Sequence, residues 1–280
     1  QMCIRDRPDN GNPRNRINGI SVGDGSQFGG IAEGERMGRI FGYVAERIIE
    51  TQEEADAARY DTQSRGYRRK DIGDYEWKDR PGSTRMDGRQ IINAEDQFLL
   101  GYALPHSTGG IGNTFRYRNW TLNVYMDYAL GHSVRNDMQM RYFQSTMGNC
   151  NYNLVNEVKK CWSQPGDDTR YARFTANDTD WGNRNYGRTS DIFVEKADYL
   201  CLRDVSLSWS LPKAWLRKLH ISDVTLTVSG NTLCYWTAVH GVSPEAATTG
   251  GLYTASSTYD TGFSPYPPTR KVLFTAKLTF

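Results

Sequence analysis

The chain has 280 residues, with 34 Lys and Arg against 32 Asp and Glu, a net charge of only +2, and 12% aromatic residues. Charges of both signs are interspersed, which excludes the broad basic field that holds nucleic acid, and no run approaches 18 consecutive apolar residues, which excludes a transmembrane helix. Twenty-seven Gly, and 17 Tyr against 10 Phe, suit a β-rich protein with wet surfaces.

Residues 1–37 form a poorly defined start. No basic stretch followed by an apolar one opens the chain, so there is no secretory signal; for an exported protein this predicts a chain lacking its N-terminus. Arg39 to Ile49 reads as a weak strand around Phe41 and Tyr43. A helix is expected from Glu50 to Tyr60, opened by Thr51 with Glu54 three residues on as a capping box. The basic run Arg65 to Lys70 reads as a solvated loop.

The clearest hairpin follows. Phe115 and Tyr117 alternate with Thr114, Arg116 and Arg118, then Trp120, Leu122, Val124, Met126 and Tyr128 alternate with Thr121, Asn123 and Asp127. A two-residue turn at Arg118-Asn119 sets Tyr117 opposite Trp120 and Phe115 opposite Leu122, so that both apolar sets share a face. The even-numbered pattern resumes at Met138, Met140 and Tyr142, predicting a strand that continues well past bilayer thickness.

Val205, Leu207, Trp209 and Leu211 alternate with serines, and Val224, Leu226 and Val228 with polar residues, across a short connection from Pro212 to Ile221. Leu200 and Leu202 have the opposite parity from Val205, which predicts a bulge near Arg203-Asp204. Cys201 and Cys234 fall at similar heights on these strands. Trp209, Trp215, Tyr235 and Trp236 lie near strand ends, where an interfacial girdle places amphipathic rings. In the last strand Val272, Phe274, Ala276, Leu278 and Phe280 fall on one face and Lys271, Thr275, Lys277 and Thr279 on the other, over the length that crosses a bilayer when tilted.

The remaining connections, about 49–108, 144–196 and 238–269, are long and rich in Gly, Asn, Ser, Thr and Tyr. Loops of that length argue against a compact soluble domain and suit a barrel with short turns on one side and long extracellular loops on the other. Their aromatic residues Trp162, Tyr171, Trp181, Tyr186, Tyr253, Tyr259 and Tyr266 are candidates for stacking on sugars or peptide side chains; the alternative is that they fold the loops onto themselves. Cys150 and Cys161 are close enough in sequence for a disulfide in an oxidising space, two free thiols being the alternative.

No pattern supports catalysis, a metal or a cofactor. The four histidines lack ligand spacing, Gly23-x-Gly25 lacks the third glycine of a dinucleotide fingerprint, and there is no G-x-S-x-G elbow. The chain reads as not an enzyme.

Three segments resemble one family. Ala197-Asp198-Tyr199-Leu200-Cys201-Leu202-Arg203-Asp204-Val205-Ser206-Leu207-Ser208-Trp209-Ser210-Leu211-Pro212 is similar to the Y-L-R-L-K-N-V-S-L-G-Y-x-L-P passage of the SusC/RagA-type TonB-linked outer-membrane transporters of Bacteroidetes. Val228-Ser229-Gly230-Asn231-Thr232-Leu233, followed by Gly241-Val242-Ser243-Pro244-Glu245, resembles that family's V-S-G-x-N-L…G-x-D-P-E, and Tyr266-Pro267-Pro268-Thr269-Arg270 its Y-P-P-T-R. The resemblance covers residues 38–280. It implies an all-β, antiparallel transmembrane barrel of about 22 strands, of which this chain supplies about the last six, with the plug elsewhere.

It also implies import of oligosaccharides or peptides with a SusD-like surface lipoprotein, energy through the TonB complex, a setting in outer-membrane lipid, and a terminal strand (Val272, Phe274, Leu278, Phe280) read by the barrel-assembly machinery. The family's acidic calcium loop is replaced here by Asp79-Arg80-Pro81-Gly82-Ser83, leaving Asp87-Gly88, so a metal there is not expected. A siderophore or cobalamin receptor and a soluble β-sandwich binding protein are the rival readings.

Overall fold

The computed structural model describes residues 11–62, 69–136, 139–140, 143, 153–174, 185–217, 221–245 and 269–279. They divide into two units, one drawing on residues 11–104 and 133–195, the other on 105–132, 196–245 and 269–279. Among the described residues no helix is long and apolar enough to cross a membrane.

The second unit is one antiparallel sheet of five long strands in sequential order: β1 (Ser107–Tyr117), β2 (Trp120–Leu130), β3 (Tyr199–Ser210), β4 (Asp223–Thr237) and β5 (Lys271–Thr279). The expected hairpin is present in register, with Tyr117 opposite Trp120 and Phe115 opposite Leu122. Its turn places Arg118 at φ 51°, a left-handed position that usually takes Gly. The parity change in β3 is also present: pairing with β4 shifts between Leu202 and Asp204, so Arg203 is the extra residue of a bulge. The Pro212 to Ile221 connection carries a short helix, α1 (Lys213–Leu216).

Glycines on β1 make room for rings from β2. A Cβ on Gly109 would lie 2.7 Å from the Tyr128 hydroxyl, and one on Gly110 2.5 Å from that of Tyr125. The two tyrosines thus lie over a strand surface with no side chains to displace them.

Three expectations are corrected. The strand after the hairpin does not run on to Tyr142: it ends at Leu130, where Gly131 turns at φ 77° and donates its N–H to Asp198 Oδ1 at 2.6 Å. Met140 is buried in the core of the other unit, while Met138 and Tyr142 lie outside the described residues. The segment around Phe41 and Tyr43 is two short strands, Arg39–Gly42 and Ala45–Ile48, which pair with Phe98–Tyr102 and Tyr75–Trp77 and not with the large sheet. The helix is shorter than its pattern, Gln52–Ala57; Thr51 accepts from Glu54 N, but Glu54 reaches back to Glu50 N.

The long connections 49–108 and 144–196 are not structureless either. Their described residues fold, together with Tyr43, around a core of Tyr75, Trp77, Ile92, Phe143, Tyr186, Ile192 and Phe193. Aromatic side chains bury large areas with few rotamers to freeze, so a Tyr-rich segment poor in aliphatics can still build a core.

Candidate functional site

The sheet is amphipathic across its whole width. Phe115, Leu122, Leu207, Val228 and Phe274 form one row of directly paired residues; Tyr117, Trp120, Trp209, Leu226 and Ala276 form the next on that face. The opposite face carries Arg116, Thr121, Ser208, Thr227 and Thr275. The apolar rows are not covered within the unit: Phe274 is 81% exposed, Tyr117 68% and Val272 60%. An apolar surface this continuous calls for a partner or a lipid phase.

Aromatic residues bound it at both ends. Trp120 stacks on Trp209 at 5.6 Å, and Trp209 meets Trp215 of α1 edge-on at 6.1 Å. Tyr128 and the exposed Trp236 lie at the far end, either side of Leu200. The eight-residue step from Trp120 to Tyr128 is roughly 27 Å along a strand, and with a tilt of about 40° this spans roughly 20 Å, close to a barrel's apolar band.

Hydrogen-bonded side chains knit the polar face. Thr114 donates to Asn123 Oδ1 (2.8 Å), Asn123 Nδ2 to Ser206 Oγ (3.1 Å), and Ser208 pairs with Thr227 (2.9 Å). Asn231 Nδ2 donates to Asp204 at 2.5 Å.

Arg203, at the bulge, lies on this face. Its guanidinium donates Nε to Asp127 Oδ1 at 2.8 Å and Nη2 to Asp127 Oδ2 at 2.7 Å, reaches Tyr235 Oη at 3.3 Å, and also pairs with Glu245. Glu245 follows β4, and its neighbour Pro244 accepts at 3.2 Å from His132 Nε2, which requires the tautomer protonated there. The polar end of the sheet thus holds the segment leaving β4. Arg203 was legible only as a parity break, because the sequence does not say which carboxylates its guanidinium meets.

The sequence candidates fall in different places. Tyr186 is fully buried and donates its hydroxyl to Ala172 O at 2.5 Å; Tyr171 is half-buried and stacks on Phe143 at 4.7 Å; Trp162 is buried beside Gly73. The rings of Tyr171 and Tyr186 meet at Phe143. Trp181, Tyr253, Tyr259, Tyr266 and Phe280 lie outside the described residues. Val272, Phe274 and Leu278 line the apolar face of β5. Trp209, Trp215 and Trp236 lie at the ends of the apolar face, whereas Tyr235 points to the polar face with Arg203.

Cys161, Cys201 and Cys234 are free thiols, and Cys150, the other half of the expected pair, lies outside the described residues. Lys70, expected in a solvated loop, is buried: its ammonium lies 3.1 Å from Asp61, which also receives Arg188, and Arg188 spreads over Tyr43 (4.8 Å) and Trp77 (5.2 Å). Burial pushes the Asp61 carboxyl up, but the two cations outweigh it and hold it at about 2. Among the described residues no cluster of His, Cys, Asp or Glu could hold a metal ion.

No family model matches the chain. It is 26% identical over 161 residues to TonB-dependent receptor P3 of Formosa agariphila, covering 58% of this chain and 15% of that receptor. It is 26% identical over 180 residues to TonB-dependent receptor P39 of the same organism, covering 64% of this chain and 16% of the receptor. The match therefore spans about a sixth of these relatives' length.

Among solved structures, the RagAB peptide transporter aligns with 94% of this chain and 25% of its own at a TM-score of 0.61 and 16% identity. The RagAB peptide importer in its closed-closed state gives 0.62 over the same shares. At that identity the likeness is one of fold. The SusC/RagA-type resemblance read from the motifs holds both in the named receptors and in the transporter barrel.

Proposed function

We propose that this chain is part of the barrel wall of an outer-membrane transporter of the SusC/RagA type, driven through TonB. The observation that carries the proposal is the five-stranded sheet with an uncovered apolar face, a hydrogen-bonded polar face and aromatic rows at both ends of the apolar one. A soluble β-sandwich would bury the apolar rows against a second sheet; here they stay exposed.

In this reading the polar face lines the lumen of a barrel of about 22 strands, of which the region 38–280 supplies the last, though the large sheet has five long strands where six were expected. The other unit is the folded mass of the long extracellular loops, the surface against which a SusD-like lipoprotein would close. RagAB is a peptide transporter, and short peptides or oligosaccharides are the cargo proposed for this chain. Of Trp162, Tyr171 and Tyr186, Tyr171 is the least buried and is the described loop aromatic proposed to meet a ligand. Val272, Phe274, Leu278 and Phe280 form the terminal strand that assembly machinery would recognise.

The test is fractionation and gel mobility of the full-length protein. Outer-membrane localisation with a heat-modifiable band supports the proposal; a soluble product with unchanged mobility refutes it.

A further inference from the structure

We propose that the turn end of the sheet is a docking site for anionic phospholipid headgroups, formed by Arg118, Lys213 and Arg217 around the Trp120–Trp209–Trp215 cluster; this rests on the barrel reading above. Three stacked or edge-on indoles mark the height at which the apolar face ends. Such rings sit at the glycerol and carbonyl level of a bilayer, and the groups just beyond them meet headgroups.

Those groups are cationic. The Arg118 guanidinium lies 5.3 Å from the Tyr117 ring centroid, which holds its charge beside the aromatic row. In the short helix Lys213–Leu216, Leu216 is buried while Lys213, Trp215 and Arg217 are exposed, so the buried leucine pins an indole and two cations outward. Over 116–120, 211–217, 221–225 and 276–279 the basic residues are Arg116, Arg118, Lys213, Arg217 and Lys277, and the only carboxylate is Asp223.

At the other end the carboxylates of Asp127, Asp198, Asp204 and Glu245 are offset by Lys196, Arg203, Arg270 and Lys271, so the excess of cations is confined to the turn end. Charge and continuity with the apolar face therefore select one occupant: a lipid whose acyl chains lie on Leu207 and Leu226 and whose net negative headgroup meets Arg118, Lys213 and Arg217. A guanidinium or ammonium at an anionic surface favours binding by about fivefold per cation.

The test uses full-length protein reconstituted in vesicles of phosphatidylethanolamine with phosphatidylglycerol, and native mass spectrometry to read which lipid is retained. The wild type should retain phosphatidylglycerol in excess, with the preference falling as salt rises. The combined Arg118→Gln, Lys213→Gln and Arg217→Gln variant should lose about fivefold of that preference per cation, and Trp215→Ala should weaken retention of both lipids alike.

An unchanged preference in the triple variant overturns the proposal, as does a wild-type preference that salt does not touch, which decides the matter even where the variant fails to assemble. Displacement of the lipid by inorganic phosphate alone overturns the assignment to a membrane surface. A wild type that never enters vesicles refutes the barrel reading itself.

Discussion

Arg203 holds Asp127 on the neighbouring strand by both carboxylate oxygens, at 2.8 and 2.7 Å, from the extra position of the bulge between Leu202 and Asp204 in β3. The extra residue lets Arg203 and Asp204 both lie on the polar side, with Leu202 before them and Val205 after them on the apolar one. The pair is partly exposed, at 29% and 19%, so its strength comes from the fork geometry rather than from burial.

Arg203→Lys should cost about 1–2 kcal/mol, because an ammonium cannot reproduce the paired contact. Denaturant unfolding of the reconstituted protein measures it. Asp127→Ala and Arg203→Ala should each cost more than the Lys variant, and the double variant less than their sum. Strict additivity would show that the pair is not coupled.

The buried Asp61 gives the first unit an acid limit. Its folded pKa of about 2 lies below the ordinary 3.8, so the stability it contributes is complete above the ordinary value and disappears as pH falls through the folded one. Proteolytic protection of the unit should therefore fade between about pH 4 and pH 2. Asp61→Asn leaves two buried cations without their carboxylate and should destabilise by about 3–5 kcal/mol. It should also remove that part of the acid transition; an unaltered acid midpoint would contradict the assignment.

Neighbouring positions on β4 should respond oppositely to charge. Val228→Arg places a guanidinium on the apolar face near its middle and should cost about 2–4 kcal/mol, whereas Thr227→Arg, on the polar face, should cost little. Yield of heat-modifiable protein and denaturant midpoints read both. Equal tolerance of the two would mean that Val228 does not meet lipid.

The sheet was legible in the sequence wherever alternation was strict. The 118–119 turn, the bulge at Arg203 and the last strand all follow from which parity is apolar, because a one-residue slip moves every side chain to the other face. The first unit was not legible. Its strands are two to five residues long, too short for a period, and its core is made of Tyr and Trp drawn from distant segments, such as Tyr75 against Tyr186 at 6.0 Å.

Met140 misled for the same reason. Three apolar residues at even positions match a strand, but Gly131 had already ended the pattern, and Met140 packs into the core of the first unit. Lys70 sat in a basic run whose composition gave no sign that Asp61 and Lys70 would be drawn together in the interior.

The most direct test is a nitroxide scan of residues 224–229 in the membrane-reconstituted full-length protein, comparing accessibility to oxygen, which concentrates in lipid, with accessibility to a water-soluble nickel complex. Oxygen maxima should fall at Val224, Leu226 and Val228, and nickel maxima at Thr225, Thr227 and Ser229, with a period of two residues. Uniform nickel access along the strand, or low access to both reagents at Val224, Leu226 and Val228, would contradict a lipid-facing wall.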